Sequence, residues 1–199
     1  MLKTEGFMTV SDMAKKLEIT EMAVRRHLGT LEKEGLIATK LLRQSMGRPT
    51  HQYFLTEKAD ELFPKSYHSL TLELLHDLES SEGPERIDRL FEIRKERLTE
   101  EYRSLFAGKD LAERVATLAE LQDKKGYMTT FRELDDGTFE LVEYNCPIAK
   151  VAKHYNQACS CELGWFRNLM GTDAIVERTE CKAKGEQNCV YRIRQKKEH

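Results

Sequence analysis

The 199-residue sequence has no apolar run long enough to span a membrane, and its N-terminus, MLKTEGFMTV, lacks the apolar core of a secretory signal. It also lacks a C-x-x-C pair, a nucleotide-binding loop and a Ser/His/Asp set, so we expect neither a membrane protein nor an enzyme. These absences favour the cytoplasm, where thiols stay reduced and clustered cysteines bind metal more often than they form disulfides.

Charge is unevenly distributed along the chain. The composition, 40% apolar and 33% charged with a net charge of −2, is typical of a soluble protein with one large or two small domains. Residues 1–55 carry nine Lys or Arg against six Asp or Glu, whereas residues 56–126 carry twelve against seventeen. This basic N-terminal part indicates a polyanionic partner for that part alone.

Two short helical patterns near the N-terminus are separated by a tight turn. Ser11 is a candidate N-cap for a helix that ends near Leu17, and Thr20 is a candidate N-cap for a second helix over residues 21–34. A short helix, a turn and a second helix with exposed arginines make the helix-turn-helix arrangement, whose second helix enters the major groove. The apolar stripe predicted for the second helix consists of Val24, Leu28 and Leu31.

A hairpin pattern follows the second helix. The segments LIATKLLR and HQYFLT alternate as strands around a basic Gly-Pro turn, which predicts a wing. The residues that we expect to contact DNA are Thr20, Glu21, Arg25 and Arg26 of the helix and Arg43 and Arg48 of the wing.

The run AVRRHLGTLEKEGLI…GRPTHQYFLTEKA resembles winged-helix bacterial and archaeal regulators of the DeoR/ArsR-like group. The resemblance implies a winged helix-turn-helix domain over residues 1–56 with a double-stranded DNA operator as its partner. Such domains begin with a helix that packs under the other two, and only MLKTEGF precedes the first helical pattern here. Either that helix is truncated at Met1 or its start lies upstream of Met1, and we expect the core beside it to be incomplete.

Residues 57–126 contain three or four helical patterns with leucines at i, i+4 and i+8 and mixed charges between them. The charges are typical of solvated faces, and the leucine stripes are typical of a core or a dimer interface. Because operators of helix-turn-helix proteins are commonly two-fold symmetric, we predict that this linker mediates homodimerisation and signal transmission.

Residues 127–199 predict a small antiparallel sheet with helices on one side. YMTTFRELDDGTFELVEYNC is typical of a hairpin, and DAIVERTEC and NCVYRIR predict two more strands after a helical region. The predicted fold class is thus α+β: a winged helix-turn-helix, a helical dimerisation linker and a C-terminal sensor domain that carries the cysteines.

All five cysteines lie in the final quarter of the chain, at positions 146, 159, 161, 181 and 189. A straight helix from Pro147 onward would place Cys146 and Cys159 roughly 20 Å apart, too far for one metal site. We therefore predict a helix break at residues 154–157, where Asn156 is a suitable cap residue, so that Cys146 folds back.

Helical geometry also separates Cys159 from Cys161. Two residues correspond to about 200° around the axis, which places Cys159 on the apolar face and Cys161 on the polar face, so Cys161 is a poor ligand candidate. Glu162 puts a carboxylate on the apolar face and is a candidate for an extra ligand or for a group that supports a ligand. The predicted metal ligands are Cys146, Cys159, Cys181 and Cys189.

The pattern NC-P…C-x-x-E…EC-x-x-x-G-x-x-x-C-x-Y-x-I resembles the C-terminal domain of SufR-type iron–sulfur transcriptional regulators, and the resemblance covers nearly the whole chain. It implies a dimeric repressor that binds an iron–sulfur cluster of the 4Fe–4S type and changes its DNA affinity when the cluster is damaged. The resemblance extends to the four predicted ligands and gives Cys161 no role. Three cysteines with one other ligand would also serve a cluster.

Other interpretations of the cysteines stay open at this point. The same four thiols could bind structural or sensory zinc, since soft sulfur ligands suit both metals. Free cysteines are also common core residues, which would leave no metal site at all. A thiol-redox or small-molecule enzyme fused to a winged helix is a third hypothesis, for which the sequence offers no motif.

Overall fold

The computed structural model describes residues 1–42 and 49–196, and the chain divides into two compact units, Met1–Lys65 and Ser66–His199. The N-terminal unit contains three helices and a three-stranded antiparallel sheet of order β1-β3-β2, followed by a 3₁₀ helix over Glu57–Leu62. Its elements are α1 Leu2–Glu5, β1 Met8–Thr9, α2 Val10–Leu17, α3 Glu21–Lys33, β2 Ile37–Leu42 and β3 Thr50–Leu55.

Side-chain caps define both helices of the predicted pair. Thr9, rather than the expected Ser11, caps α2 in a capping box with Asp12, because α2 begins at Val10, two residues before the start that a Ser11 cap predicts. Glu18 then reverses the chain in the left-handed region at φ 55°, and Thr20 Oγ1 accepts a hydrogen bond from the Ala23 N–H at 3.2 Å. These caps set where the second helix starts, and with it the exposed residues of its first turn.

The first helix, α1, is a single turn. Its Leu2 packs against the buried core of the unit, while Phe7, which follows the helix, remains 46% exposed. The short strand β1, which the sequence pattern did not predict, pairs with β3 and connects this region to the hairpin. The buried core consists of Met8, Val10, Met13, Ala14, Val24, Leu28 and Ile37.

The C-terminal unit contains a four-stranded antiparallel sheet of order β4-β5-β7-β6, and both predicted hairpins form. A 3₁₀ turn over Lys182–Lys184 lies between its last two strands. Its elements are α4 Tyr67–Glu82, α5 Pro84–Phe106, α6 Leu111–Lys124, β4 Thr129–Glu133, β5 Phe139–Glu143, α7 Ala149–Ala152, α8 Gln157–Met170, β6 Ala174–Glu180 and β7 Cys189–Gln195.

The helices of the segment interpreted as a separate linker belong to the same compact unit as this sheet. Leu98 of α5 and Leu118 of α6 lie in one buried core with Phe166 of α8 and Tyr191 of β7. The apolar stripe of α5 is therefore used in part inside the unit, whereas Leu70 and Leu74 of the α4 stripe remain exposed. None of the helices in the described ranges is both long and apolar enough to cross a bilayer.

The predicted break in the cysteine-rich helical region is confirmed. α7 ends at Ala152 and α8 begins at Gln157, and the buried Tyr155 between them donates a hydrogen bond from its hydroxyl to Glu79 at 3.1 Å. Asn156 precedes α8 without a side-chain cap, so packing of Tyr155 against α4, rather than capping, holds the break.

Phe166→Ala should lower the free energy of unfolding by about 3–5 kcal/mol, because it leaves a cavity between α8 and the sheet. The ring is fully buried, with its centroid 4.9 Å from that of Tyr191 and 5.4 Å from that of Trp165. Urea unfolding followed by circular dichroism measures the loss. Phe131→Ala, on a ring that is 41% exposed, serves as control and should cost less than about 1 kcal/mol; equal losses would contradict the assigned core.

Candidate functional site

The exposed face of α3 begins at its capping residue. Thr20, Glu21 and Arg25 are exposed, and Arg25 forms an ion pair with Glu21 at 3.6 Å between Nη2 and Oε2. Arg26 is exposed beside them, whereas Val24 and Leu28 hold the opposite face of the helix in the core. The structure therefore presents all four predicted helix residues to solvent on an anchored helix.

Met22 extends this face and was missed by sequence reasoning. It is 79% exposed at the second position of α3. An unpartnered methionine there suits apolar contact with a base edge or sugar. The signal that could have found it was its place in the first turn, away from the Val24 and Leu28 stripe.

The two strands of the predicted wing form a regular antiparallel pair, from Ile37 opposite Leu55 to Leu42 opposite Thr50. The predicted DNA contacts Arg43 and Arg48 lie outside the described residues. The two described strands agree with the predicted hairpin, and contact of Arg43 and Arg48 with DNA stays a prediction.

Four of the five cysteines lie in the same region, near one end of the β6–β7 hairpin, and two of them are in contact. Cys159 lies in the first turn of α8 and Cys181 directly after β6, and their Sγ atoms are 3.9 Å apart. Cys189, the first residue of β7, accepts a hydrogen bond on Sγ from the Lys182 N–H at 3.4 Å. Cys146, in the loop before α7, is the half-buried member and interacts electrostatically with Cys181. We call Cys146, Cys159, Cys181 and Cys189 the cysteine site.

Burial makes the thiols of Cys146, Cys159 and Cys189 poor acids. It raises the pKa of Cys146 to about 11 and the pKa of Cys159 and of Cys189 to about 12, with neighbouring carboxylates and the Cys181 thiol adding to the effect. These three thiols are therefore protonated at neutral pH. A metal bound there would have to displace their protons.

The arrangement is not that of a closed site for a single ion. Within residues 1–42 and 49–196, no three His, Cys, Asp or Glu side chains converge closely enough to hold one metal ion. Cys159 and Cys181 alone are close enough to share one ion, and no third ligand side chain of the described residues joins them in a formed mononuclear site.

Two buried carboxylates lie beside the cysteine site. Gln122 Nε2 donates to Glu143 Oε1 at 2.7 Å, and the Tyr191 hydroxyl donates to Glu162 Oε2 at 3.0 Å. Burial, and then the Glu162 carboxylate, raise the pKa of Glu143 to about 9. Burial also raises the pKa of Glu162, against the hydrogen bonds from Tyr127 and Tyr191 that lower it.

The structure places the predicted Glu162 within this pair and adds Glu143, which sequence reasoning missed. Glu143 is 1% exposed and lies opposite Cys189 in the register of β5 and β7. The available signal was alternation along the strand FELVE, which puts Glu143 on the same face as the apolar Phe139 and Leu141, where a carboxylate requires a partner.

Arg178 brings a positive charge to the same place. Its Nη1 donates to the Cys159 carbonyl oxygen at 2.9 Å, and its guanidinium interacts electrostatically with Cys159 and Cys181. It is the cation that would favour thiolates at these two positions. Its position in β6 gave no sign of this role, because only the hairpin brings it over the first turn of α8.

The expectation that Cys161 points to a polar, open face is wrong, because α5 covers that face. Cys161 is 6% exposed. On either side of it, Gln157 Nε2 donates to Asp88 Oδ1 at 2.9 Å and Asn168 Nδ2 donates to Thr99 Oγ1 at 3.1 Å. The polar side of α8 is thus an interface with α5, and Cys161 is a buried thiol on it, facing away from Cys159.

Comparison with known families identifies the N-terminal unit. Residues 1–42 match the model of the helix-turn-helix domain family, described as "HTH domain". The N-terminal part of the chain is therefore a helix-turn-helix domain, of the kind that DNA-binding transcription regulators carry. No curated protein matches the sequence of the chain.

Three solved structures show partial likeness. The phenol-responsive sensory domain of the transcription activator PoxR, with phenol, is 16% identical and has a TM-score of 0.44, covering 67% of this chain and 76% of its own. Trafficking protein particle complex subunit 3 from Naegleria fowleri, covalently bound to palmitic acid, is 18% identical with a TM-score of 0.41, covering 71% and 98%. Bacillus subtilis PadR in complex with operator DNA is 14% identical with a TM-score of 0.26, covering 61% and 86%. All three TM-scores are below 0.5, so these likenesses are not evidence for the function of this chain.

Cys146 should be the first member of the cysteine site to react with iodoacetamide in metal-free protein, because the other three are buried. Its rate should rise about tenfold per pH unit from pH 8 to near pH 11, since its raised pKa leaves little thiolate at lower pH. Mass spectrometry of peptides after timed alkylation measures this. A rate that levels off near pH 9 would show an ordinary exposed thiol instead.

Proposed function

We propose that the chain is a dimeric, DNA-binding transcription regulator, acting as a repressor, whose DNA affinity is controlled by an iron–sulfur cluster bound at the cysteine site. The observation that carries this proposal is the convergence of four cysteines from separate elements in a chain whose N-terminus is a helix-turn-helix domain. The resemblance to SufR-type regulators in the spacing of those cysteines supports the choice of cluster.

The residues present fit such a cluster in their chemistry. Cysteine thiolates are the ligands of iron–sulfur clusters, and backbone N–H groups directed at the sulfurs tune them. The Lys182 N–H is directed at Cys189 Sγ, and Arg178 supplies positive charge beside Cys159 and Cys181. A bound cluster would supply sensitivity to oxidants and to iron supply, and Cys146, Cys159, Cys181 and Cys189 would hold it.

The route from the cysteine site toward a regulatory response runs through α8. Cys159 lies in its first turn, and α8 packs along the long helix α5 over most of its length. Ligands drawn from a loop, a helix and both strands of a hairpin would make the order of these elements depend on occupancy. We propose that loss of the cluster loosens this end of α8 and changes how α5 is held.

Apolar side chains on α4 support the dimer. Leu70 and Leu74 are 55% and 60% exposed one helical turn apart. Exposed leucines at this spacing on one helix are typical of a surface that a second copy covers. A two-fold dimer would present two copies of α3 to the two halves of an operator.

One distance favours zinc as the second candidate. The 3.9 Å between Cys159 Sγ and Cys181 Sγ is close to the edge, about 3.8 Å, of a tetrahedron with Zn–S bonds of about 2.3 Å. In that case Cys146 and Cys189 would complete a mononuclear site after a small closure of the loop. The regulator would then respond to zinc or use it as a structural element.

Arg26→Ala should weaken binding to an operator fragment, selected from a random DNA library, by about tenfold, with a smaller dependence of the affinity on salt if Arg26 contacts a phosphate. The reason is loss of one charged donor from the exposed face of α3. Fluorescence anisotropy over a salt series measures both quantities. Arg103→Ala, on α5 in the other unit, is the control and should leave affinity unchanged. Equal operator affinity of the two variants would contradict the assignment of this face of α3 to DNA binding.

Protein purified without oxygen should contain iron and sulfide in similar amounts and absorb in the visible range. Cys181→Ser should lose most of that iron, because Cys181 contacts Cys159 and interacts electrostatically with Cys189. Cys161→Ser, a change at the buried cysteine outside the site, is the matched control and should retain it. Iron, sulfide and zinc analysis measures the result.

Two outcomes of that metal analysis, together with the operator affinity of iron-loaded and iron-free protein, decide between the proposals. Stoichiometric zinc without iron, lost in Cys181→Ser, would replace the cluster by the zinc alternative. Equal metal content in wild type and Cys181→Ser would show that the ligand set is wrong. Iron-loaded and iron-free forms with equal operator affinity would refute control by the cluster.

A further inference from the structure

A cavity of about 930 Å³ lies in the C-terminal unit, outside the buried face of the sheet. It is enclosed by α4, α5, the loop that carries Cys146, and α7, and it opens to solvent on one side. Its volume falls at the upper end of the range, about 300–1,000 Å³, of pockets that hold small organic ligands. It is thus large enough for a ligand rather than for a few waters.

The walls of this cavity are apolar at depth. Leu75 of α4 and Ala158 of α8 are buried there, and Phe91 of α5 and Val151 of α7 are partly buried. Side chains of this kind, facing a space of this size, favour the body of an apolar molecule over water.

Cationic groups line the same cavity. Arg94 and Arg97 extend from successive turns of α5, and Lys150 of α7 lies with its Nζ 3.2 Å from His68 Nε2. Arg97 Nη1 forms an ion pair with Glu101 Oε2 at 3.1 Å, whereas Arg94 has no ion-pair partner within residues 1–42 and 49–196. Among the described residues that line the cavity, none carries a carboxylate. The space is therefore apolar inside and positive at its border.

We propose that this cavity binds an amphipathic carboxylate, with the apolar body between α4, α5 and α7 and the carboxylate against Arg94. A planar guanidinium without an ion-pair partner matches a carboxylate through two parallel hydrogen bonds. Lys150 and Arg97 add positive charge that would disfavour a cationic head group. The apolar walls disfavour small hydrophilic anions, which would leave those walls wet.

The ligand would also reach the cysteine site. Cys146 lines the cavity, and the neighbouring Pro147, Ile148 and Val151 form one of its walls. A molecule seated there would cover the half-buried thiol of Cys146 and restrain the loop that carries it. This coupling rests on the proposed role of the cysteine site, whereas binding of the carboxylate does not.

A second copy of the chain is a weaker choice of occupant. The exposed Leu70 and Leu74 of α4 do not line the cavity, so an apolar dimer surface on α4 can form without filling it. A concave space bordered by positive groups would need an acidic, protruding partner surface. Contact between two copies at this cavity is therefore the alternative that the experiment below distinguishes from ligand binding.

The experiment uses the full chain, purified without oxygen, with decanoate as the probe. Calorimetry should show decanoate binding, with decanol and decylamine at least about tenfold weaker. Arg94→Gln should weaken decanoate by about tenfold and leave decanol unchanged. Arg103→Gln, on the same helix but paired with Glu100 and outside the cavity, should leave both unchanged.

A second readout places the ligand. Decanoate should slow alkylation of Cys146 several-fold, since the molecule covers that thiol, without changing alkylation of the buried Cys161. Decanoate binding that is equal in wild type and Arg94→Gln, or no stronger than decanol binding, overturns the proposal. So does a change in sedimentation mass of Arg94→Gln, which would assign this face to a contact between copies.

The two proposals fail separately. Decanoate binding to protein that contains no metal would support the proposed ligand site in the cavity and contradict the iron–sulfur proposal. Protein that contains iron and sulfide but shows no decanoate binding and no protection of Cys146 would do the reverse.

Discussion

The position of α8 between α5 and the four-stranded sheet is the constraint on which the C-terminal unit depends. One face of α8 places Phe166 and Met170 in the core, while its polar face meets α5 through Gln157 and Asn168. A Cβ atom at Gly164 would lie 2.8 Å from the Lys95 side chain, so the glycine permits this close approach. Because both faces are covered, the first turn of α8 has one available orientation, and Cys159 is held toward the hairpin.

The hairpin of β6 and β7 supplies two further members of the cysteine site, Cys181 and Cys189. Antiparallel pairing brings Cys181 and Cys189 to the same end of the hairpin, although seven residues separate them in the sequence. Burying carboxylates beside thiols costs stability unless the carboxylates are hydrogen-bonded, and Gln122 and Tyr191 supply those bonds. A protein that needed only a core would have little reason to keep two carboxyl groups there, which favours a role in holding or releasing a charged group.

In the N-terminal unit, local sequence largely specifies where the helices begin and end. Thr9, Glu18 and Thr20 set where its helices begin and end, and two turns of apolar side chains anchor α3. Its exposed first turn needs no tertiary support beyond that anchor, so the predicted residues of α3 were readable from spacing alone. The cap of α2 was misplaced because Thr9 and Ser11 are both suitable capping residues, and only the capping box with Asp12 distinguishes them.

The sequence by itself determined the elements whose cause is local: the helix-turn-helix pair and the hairpins. It also located the break before Gln157, although packing of Tyr155 against α4 holds that break. It also separated Cys159 from Cys161, because helical periodicity is a local property. Tertiary structure decided what each face meets: that α5 covers Cys161, that Glu143 and Arg178 join the cysteine site, and that a cavity opens beside Cys146. These depend on contacts between residues far apart in the chain, and a pattern within one segment carries no information about which distant segment will cover it.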